Sequence, residues 1–317
     1  MSSGTMTVSF APHIRDRIST ASIMRDVIIA LSPSFIVSVV VFGPRAILVT
    51  AVCAASCVFF EWGFQKLLKR TVTVQDLSAA LTGILLAFNL PVTIPLWQAI
   101  FGCFVAIILV KQLYGGIGKN FANPAITARV VIFLAFPITM TTWIVPDLTT
   151  FKWAGVDSVT RATPLMYMAQ GALDPNYTIL DLFLGTHGGC IGETSELALL
   201  IGGIYLLIRR VISWHAPLAY IATVFALTAI SGNYPVQQIL SGGLFLGAIF
   251  MATDYVTTPL TKTGRAIFGF GAGLFTVLIR LFGSYPEGVS LSILLMNMLV
   301  PFINKLTVKN PLGGLKQ

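Results

Sequence analysis

Long apolar runs separated by short polar turns dominate this sequence of 317 residues. A helix needs about 20 mostly apolar residues to cross a bilayer. Only 10% of the residues are charged, compared with about 25% in ordinary soluble domains, and so few charges cannot cover a soluble protein of this size. The sequence therefore predicts an all-α polytopic membrane protein and excludes a soluble globular enzyme, a disordered chain and a disulfide scaffold. The ten predicted spans, several of them short or interrupted, are 26–43, 45–62, 77–94, 97–114, 125–145, 195–209, 212–230, 237–252, 265–283 and 288–304.

The lysines and arginines predict how these spans are oriented. Ten spans place both termini on one side, and 16 of the 20 basic residues then fall on that side, among them Lys111 and Arg129 between the fourth and fifth spans. Basic residues mark the cytoplasmic face, so we predict a multi-pass protein of the cell membrane with both termini in the cytoplasm. The net charge of +8 then reflects topology and does not indicate nucleic-acid binding. The basic residues on the opposite side are Arg45, Lys152, Arg161 and Arg280.

The two halves of the sequence repeat short motifs in the same order. The VTIPL segment 92–96 recurs as VTTPL at 256–260, and AIFG at 99–102 recurs at 266–269. An odd number of spans per repeat inverts the second copy, so we predict two inverted five-helix repeats with broken helices, a plan typical of transporters and channels. Chance similarity between apolar segments is the alternative. The two VTxPL segments are either hairpin turns that aim helix ends inward or plain connections.

This plan divides the chain into five segments. They are a cytoplasmic N-terminal segment 1–24, a first repeat 25–145, an extracytoplasmic loop 146–178, a second repeat 179–306 and a cytoplasmic tail 307–317. Cys53 and Cys57 lie four residues apart on one face of a predicted helix, either as small core residues, which we favour, or as a ligand pair. We assign no metal ligand and no catalytic side chain.

The outer loop contains the one segment with recognisable chemistry. Residues 157–165 read DSVTRATPL, in which Asp157, Thr160, Ala162 and Thr163 form the pattern D-x-x-[ST]-x-A-T. As bare spacing, Ser and Thr in such a cluster usually cap turns. The pattern also matches the signal for covalent attachment of FMN, in which the flavin is joined to the last Thr through a phosphoester.

The sequence resembles the RnfD family of membrane proteins from the Rnf complex, which has NqrB of the sodium-pumping Nqr quinone reductase as a relative. Besides the flavin signal, segments 120–125, 188–195, 250–254 and 285–288 look like motifs of this family, and the resemblance covers about 10–306. The short N-terminal segment and the overall length are more similar to RnfD than to NqrB.

The resemblance implies a membrane component of an ion-translocating ferredoxin:NAD oxidoreductase. FMN would be bound covalently at Thr163, after transfer by a separate flavin transferase. Asp157, Thr160, Arg161 and Ala162 would belong to the attachment site, with Arg161 where the family usually has Gly. Relatives also hold a non-covalent riboflavin. The other Rnf subunits, which carry iron–sulfur clusters and flavins, would connect this chain to ferredoxin and NAD.

Other functions stay open at the level of sequence. One is that of NqrB in an Nqr-type quinone reductase. Another is a channel or solute transporter, because the five-plus-five plan is similar to that of urea channels and a fold does not settle function. A purely structural membrane protein of a larger complex is the third. The sequence also does not distinguish Na⁺ from H⁺ as the transported ion.

Ionisable residues near the predicted spans are candidates for an ion path, because charged groups in membrane segments are costly and usually functional. We rank Asp254 first, because it precedes the second VTxPL segment. Asp76 and Glu287 follow, together with Glu193 and Glu196, which we expect at the outer start of the sixth span. All five lie near span ends, where capping a helix is the alternative role.

Three further residues are candidates for contacts with a non-covalent flavin. They are Asn120 and Asn123, before the fifth span, and Gly189, before the sixth. The alternative roles are helix capping for the two Asn residues and a packed helix break at the Gly.

Overall fold

The fold is a bundle of helices of very different lengths. A computed structural model describes residues 19–143, 163–175, 177–185, 187–283 and 287–308, and these contain no β-strand. In the first half the helices are α1 (Thr20–Phe42), α2 (Pro44–Leu67), α3 (Ser78–Phe88), α4 (Leu96–Phe104), which continues as the π-helix Val105–Gln112, α5 (Pro124–Ala135) and α6 (Pro137–Met140). In the second half they are α7 (Pro164–Ala169), α8 (Ile179–Leu184), α9 (Glu196–Ile208), α10 (His215–Ile230), α11 (Pro235–Ile239), α12 (Leu244–Leu246), which continues as the π-helix Gly247–Met251, α13 (Lys262–Phe282) and α14 (Val289–Thr307).

Four helices, α1, α2, α13 and α14, are long and apolar enough to cross a membrane, with mean hydropathies of 1.6 to 1.9. This confirms the prediction of an all-α protein with several membrane-spanning helices. The count of ten spans and the inverted repeat remain predictions. Other apolar helices are much shorter: α5 has 12 residues and α9 has 13, which is about 18–20 Å of helix against about 30 Å of hydrocarbon.

Buried irregular backbone precedes the short helix α9. The Ser34 hydroxyl, near the middle of α1, donates to the carbonyl of Gly192 at 2.9 Å. Gly192 N donates in turn to Phe88 O at 2.9 Å, at the end of α3. A Cβ on Gly192 would lie 2.3 Å from the Phe88 side chain, so only glycine fits here. This packing buries Glu193 and Glu196 inside the bundle, and their position at the outer start of the sixth span remains a prediction.

The ends of two short helices meet across the halves of the chain. The Asn89 side chain, which follows α3, donates to Met251 Sδ at the end of the second π-helix, over 3.6 Å. One VTxPL segment, 92–96, connects the end of α3 to α4. The other, 256–260, connects the end of the second π-helix to α13. This position matches hairpin turns after short helices, which is one of the two interpretations of the motif.

The structure corrects the assignment of two basic residues to an inner loop. Lys111 is buried in the π-helix that continues α4, where its ammonium lies 2.7 Å from Glu61 Oε2 and donates to Ser78 Oγ at 2.6 Å. Arg129 is buried within α5. Neither cation is free to mark the cytoplasmic face, so the predicted orientation depends on the other basic residues of that side.

Removing the Lys111 ammonium should destabilise the fold strongly, because Glu61 would keep a buried charge without a partner. We expect Lys111→Met to lower the free energy of unfolding by about 3–5 kcal/mol. All four cysteines are buried and free, so thermal unfolding in lipid nanodiscs can be followed with a thiol-reactive fluorescent dye.

The double variant Lys111→Met/Glu61→Met should recover most of the loss, because it removes both buried charges together. Lys69→Met is the control, since Lys69 is exposed. An unchanged melting temperature for Lys111→Met alone would contradict this account of the ion pair.

Candidate functional site

Thr163 begins α7 and has an unused buried hydroxyl. Its backbone is extended, with φ −71° and ψ 157°, and its side chain makes no capping hydrogen bond. Thr163 Oγ1 is buried and has no hydrogen-bond partner among the residues that the structure describes. Buried hydroxyls nearly always have one, so this atom is a candidate for attachment or ligand contact. The other residues of the predicted flavin signal, Asp157, Thr160, Arg161 and Ala162, lie outside the described residues.

The segment after Thr163 packs on a tight turn that precedes α12. A Cβ on Gly242 would lie 2.1 Å from Leu165 Cδ1 and 3.0 Å from Arg280 Nη2. Gly242 has φ +72°, which favours glycine. Arg280 Nη2 also donates to Ser241 O at 2.8 Å. The turn at 241–243 therefore contacts both the start of α7, through Leu165, and the end of α13, through Arg280.

Arg129 connects the two halves of the bundle through four side chains. Its Nη2 lies 3.1 Å from Glu287 Oε2 and donates to Cys190 Sγ at 3.6 Å. Its Nη1 donates to Ser290 Oγ at 2.6 Å and to Asn89 Oδ1 at 3.4 Å. A planar guanidinium suits such a site because its five donors point in fixed directions.

Two buried glutamates lie at the start of α9. Glu193 Oε1 accepts from Cys190 N at 3.0 Å, and Glu193 Oε2 has no partner. A Cβ on Gly243 would lie 2.1 Å from that Oε2, so the carboxylate rests against backbone. Glu196 is 0% exposed, and neither of its carboxylate oxygens has a hydrogen-bond partner.

These groups form one buried charged cluster, which we define as Arg129, Glu193, Glu196, Arg280 and Glu287. Glu193 and Arg280 both lie within electrostatic range of Glu196 and of Glu287. Sequence reasoning ranked the three glutamates only as possible members of an ion path and used the two arginines only for topology. A signal was present, because Arg129 and Arg280 each lie inside a predicted span, where a charged side chain is expensive.

The two candidate aspartates sit at helix starts and turns. Asp76 Oδ1 accepts from Ser78 N at 2.8 Å and from Ser78 Oγ at 2.6 Å, which matches the capping role. Asp254 Oδ2 accepts from Thr257 Oγ1 at 2.9 Å within the second VTxPL turn. Burial raises the pKa of Asp254, and the hydrogen bond from Thr257 partly opposes this shift. Asp254 also lines a cavity together with Arg265.

The candidates for a non-covalent flavin show mainly structural contacts. Asn123 Oδ1 accepts from Ala125 N at 3.0 Å and from Ile126 N at 3.3 Å, so it caps α5, the alternative role predicted for it. Asn120 Nδ2 donates to Ala122 O at 3.2 Å. Gly189 packs against Glu193. The structure brings Gly189 close to the buried charged cluster.

Comparison with known proteins gives consistent matches over almost the whole chain. The NQR2, RnfD, RnfE family matches residues 7–313. The D subunit of the Na⁺-translocating ferredoxin:NAD⁺ oxidoreductase complex of Acetobacterium woodii is 47% identical over 313 residues, which cover 98% of this chain and 96% of the relative. The D subunit of the proton-translocating complex of Clostridium ljungdahlii is 41% identical, with coverage of 95% and 94%. The D subunit of the ion-translocating oxidoreductase complex of Stutzerimonas stutzeri is 40% identical, with 91% of both chains covered.

Replacing Arg129 should loosen the packing between the halves. We expect Arg129→Met to cost about 3–5 kcal/mol of unfolding free energy, because it removes a buried guanidinium and leaves the partly buried Glu287 without its partner. Arg129→Lys should restore only part of it, because one ammonium cannot reach four partners. Arg210→Met is the control, since Arg210 is exposed.

A double-mutant cycle of Arg129→Met with Glu287→Gln tests the ion pair directly in the same melting assay. The combined loss should be clearly smaller than the sum of the single losses, because both variants break one interaction. Additive losses would contradict a coupled pair.

Proposed function

Because this chain belongs to the NQR2, RnfD, RnfE family, we propose that it is the membrane flavoprotein RnfD of an Rnf-type ferredoxin:NAD oxidoreductase. In this role it carries electrons within the membrane and couples their transfer to the movement of Na⁺ or H⁺. The matches to relatives named as D subunits of such complexes span nearly the full length of both partners. The chain needs the other subunits of the complex for contact with ferredoxin and NAD.

Thr163 is the observation that carries the flavoprotein assignment. The residue ends the D-x-x-[ST]-x-A-T signal and presents a hydroxyl with no internal hydrogen bond. A hydroxyl already bound to backbone would have to give up that bond before esterification, and none of the described residues makes such a bond with Thr163 Oγ1. The described residues therefore fit a phosphoester at this atom.

The surroundings of Thr163 also suit an anionic cofactor. Leu165, two residues after Thr163, and the guanidinium of Arg280 both pack against Gly242, and among the described residues Arg280 Nε has no acceptor. Guanidinium groups pair well with phosphate. Arg161, two residues before Thr163 in the sequence, would add a second cation to the attachment site. FMN bound there would supply the electron-carrying chemistry, and the protein supplies its position and electrostatics.

The proposed arrangement places the flavin loop outside the membrane and the termini in the cytoplasm. Electrons from cytoplasmic ferredoxin would then cross towards the outer face before returning to cytoplasmic NAD. A unit charge moved against 100 mV costs about 2.3 kcal/mol, so such a detour offers a means of coupling redox energy to ion movement. Asp254, Glu193, Glu287 and Asp76 are the candidates for the ion path, and a non-covalent riboflavin would be a second cofactor.

Thr163→Ala should abolish covalent flavin while leaving the protein in the membrane. The test is ultraviolet-excited fluorescence of the denatured protein in a gel, after production in a host that contains the flavin transferase. We expect a fluorescent band for the wild type and for the control Thr178→Ala, and a dark band for Thr163→Ala. A fluorescent Thr163→Ala band, or a dark wild-type band from the native host, would contradict the assignment.

Asp254→Asn should reduce ion pumping and leave flavin attachment intact. The measurement is ion uptake per electron transferred by the whole complex reconstituted in vesicles. Asp181→Asn is the matched control, because Asp181 is outside the set of ion-path candidates and its Oδ2 accepts from Thr178 N and Thr178 Oγ1 in a helix cap. It should lower stability without changing the ratio of ions to electrons. Unchanged pumping in Asp254→Asn would remove Asp254 from the ion path.

A further inference from the structure

The start of α9 has more buried carboxylate oxygens than hydrogen-bond donors. Glu193 and Glu196 are 4% and 0% exposed. Within the part of the chain that the structure describes, three of their four carboxylate oxygens have no hydrogen-bond partner, and the fourth accepts a single backbone N–H from Cys190. Buried ionised carboxylates normally have several donors or a paired cation. Glu193 and Glu196 therefore lack the hydrogen bonds or the paired cation that would offset the cost of burying their charges.

The two arginines of the buried charged cluster do not provide the missing donors, because both direct their guanidinium groups to other partners. Arg129 is already paired with Glu287. Arg280 directs its Nη1 to the backbone and side-chain oxygens of Gln238 and its Nη2 to Ser241 O. Three carboxylates and two guanidiniums leave the cluster with one excess negative charge when all are ionised.

The N-terminus of α9 offsets only part of that charge. Ser195 Oγ caps the helix by accepting from Ala198 N at 3.3 Å, and no backbone N–H donates to Glu196. The helix dipole amounts to about half a unit charge at best. A further positive charge, either a proton or a bound cation, is needed at Glu196.

Two neutral hydroxyls belong to residues that neighbour these glutamates along the chain or across the turn at 241–243. Thr194 Oγ1 and Ser241 Oγ are both buried, and neither has a hydrogen-bond partner among the described residues. Thr194 lies between the two glutamates in the sequence, and Ser241 adjoins the turn on which Glu193 rests. Carboxylates together with hydroxyl oxygens are the ligands that small hard cations prefer. A proton would satisfy one carboxylate oxygen and leave these hydroxyls unused.

We propose that Glu196 and Glu193, with Thr194 and Ser241, form a binding site for a dehydrated Na⁺ ion. A role of this site in transport rests on the proposed ion-translocating function. The binding of Na⁺ can be tested without that function. The relative from Acetobacterium woodii, 47% identical to this chain, belongs to a complex named as Na⁺-translocating, and the relative from Clostridium ljungdahlii, 41% identical, belongs to one named as proton-translocating, so the test must separate Na⁺ from H⁺. A flavin phosphate is disfavoured here, because two acceptor-only carboxylates would repel it.

The test is the melting temperature of the full-length chain in lipid nanodiscs, followed with the thiol-reactive dye. NaCl is titrated against choline chloride at constant ionic strength, with KCl as a second comparison. A ligand that binds only the folded state raises the melting temperature as its concentration rises. We expect such a rise with Na⁺, and little or none with K⁺.

Glu196→Gln distinguishes a binding site from a structural carboxylate. It should raise the melting temperature in Na⁺-free buffer, because a buried charge is removed, and should increase the half-saturating Na⁺ concentration about tenfold or more. Glu193→Gln should weaken the Na⁺ response in the same direction. The double variant Lys111→Met/Glu61→Met is the matched control, since it removes another buried carboxylate with its partner and should keep the Na⁺ response.

Several outcomes would overturn the proposal. One is the absence of a Na⁺-specific rise in the wild type. Another is a rise that survives in Glu196→Gln. A third is stabilisation by lower pH alone, which would assign the site to a proton shared among Glu193, Glu196, Glu287, His187 and Cys190. The gel test of Thr163 measures a different property, so this proposal and the flavoprotein assignment can fail independently.

Discussion

The pairing of Arg129 with Glu287 is the interaction on which the organisation of the bundle depends. Arg129 belongs to α5, and Glu287 directly precedes the last helix, so one ion pair joins the two halves of the chain. Leaving either charge alone inside a membrane protein would cost several kcal/mol. The same guanidinium also binds Asn89 and Cys190, which anchors the end of α3 and the loop before α9.

That anchoring explains how irregular backbone persists in the interior of this bundle. Non-helical segments at membrane depth must pair their polar groups within the protein. The loop before α9 does so by donating from Ile191 and Gly192 to the carbonyls of Leu90 and Phe88 and by accepting from Ser34. Close backbone approach makes glycine necessary at position 192. The short helices and the buried loops are therefore parts of one arrangement, and the ionisable residues gather where the helices stop.

Much of this could be predicted from sequence, and the failures have a common physical cause. Hydropathy found α1, α2, α13 and α14 because each is apolar over its own length. It could not show that Lys111 pairs with Glu61 or Arg129 with Glu287, since these partners are distant in sequence. The sequence therefore predicts Lys111 and Arg129 as residues of an inner loop, whereas in the fold each pairs with a carboxylate inside the bundle. Motif similarity identified the family, but the contacts of the Thr163 hydroxyl depend on the packing around the start of α7.

Arg280 lies between the proposed flavin attachment at Thr163 and the proposed Na⁺ site at Glu196. A charged residue at this position could couple the two sites electrostatically. Its guanidinium adjoins the turn at Gly242 that packs on Leu165, two residues after Thr163, and it lies within electrostatic range of Glu196. Coulomb interactions are strong where water is excluded. Negative charge gained near Thr163 and positive charge bound at Glu196 would act on the same guanidinium, so each would change the free energy of the other. A purely apolar interior could hold the same helices together, but it could not transmit an electrical change from the proposed flavin at Thr163 to the start of α9.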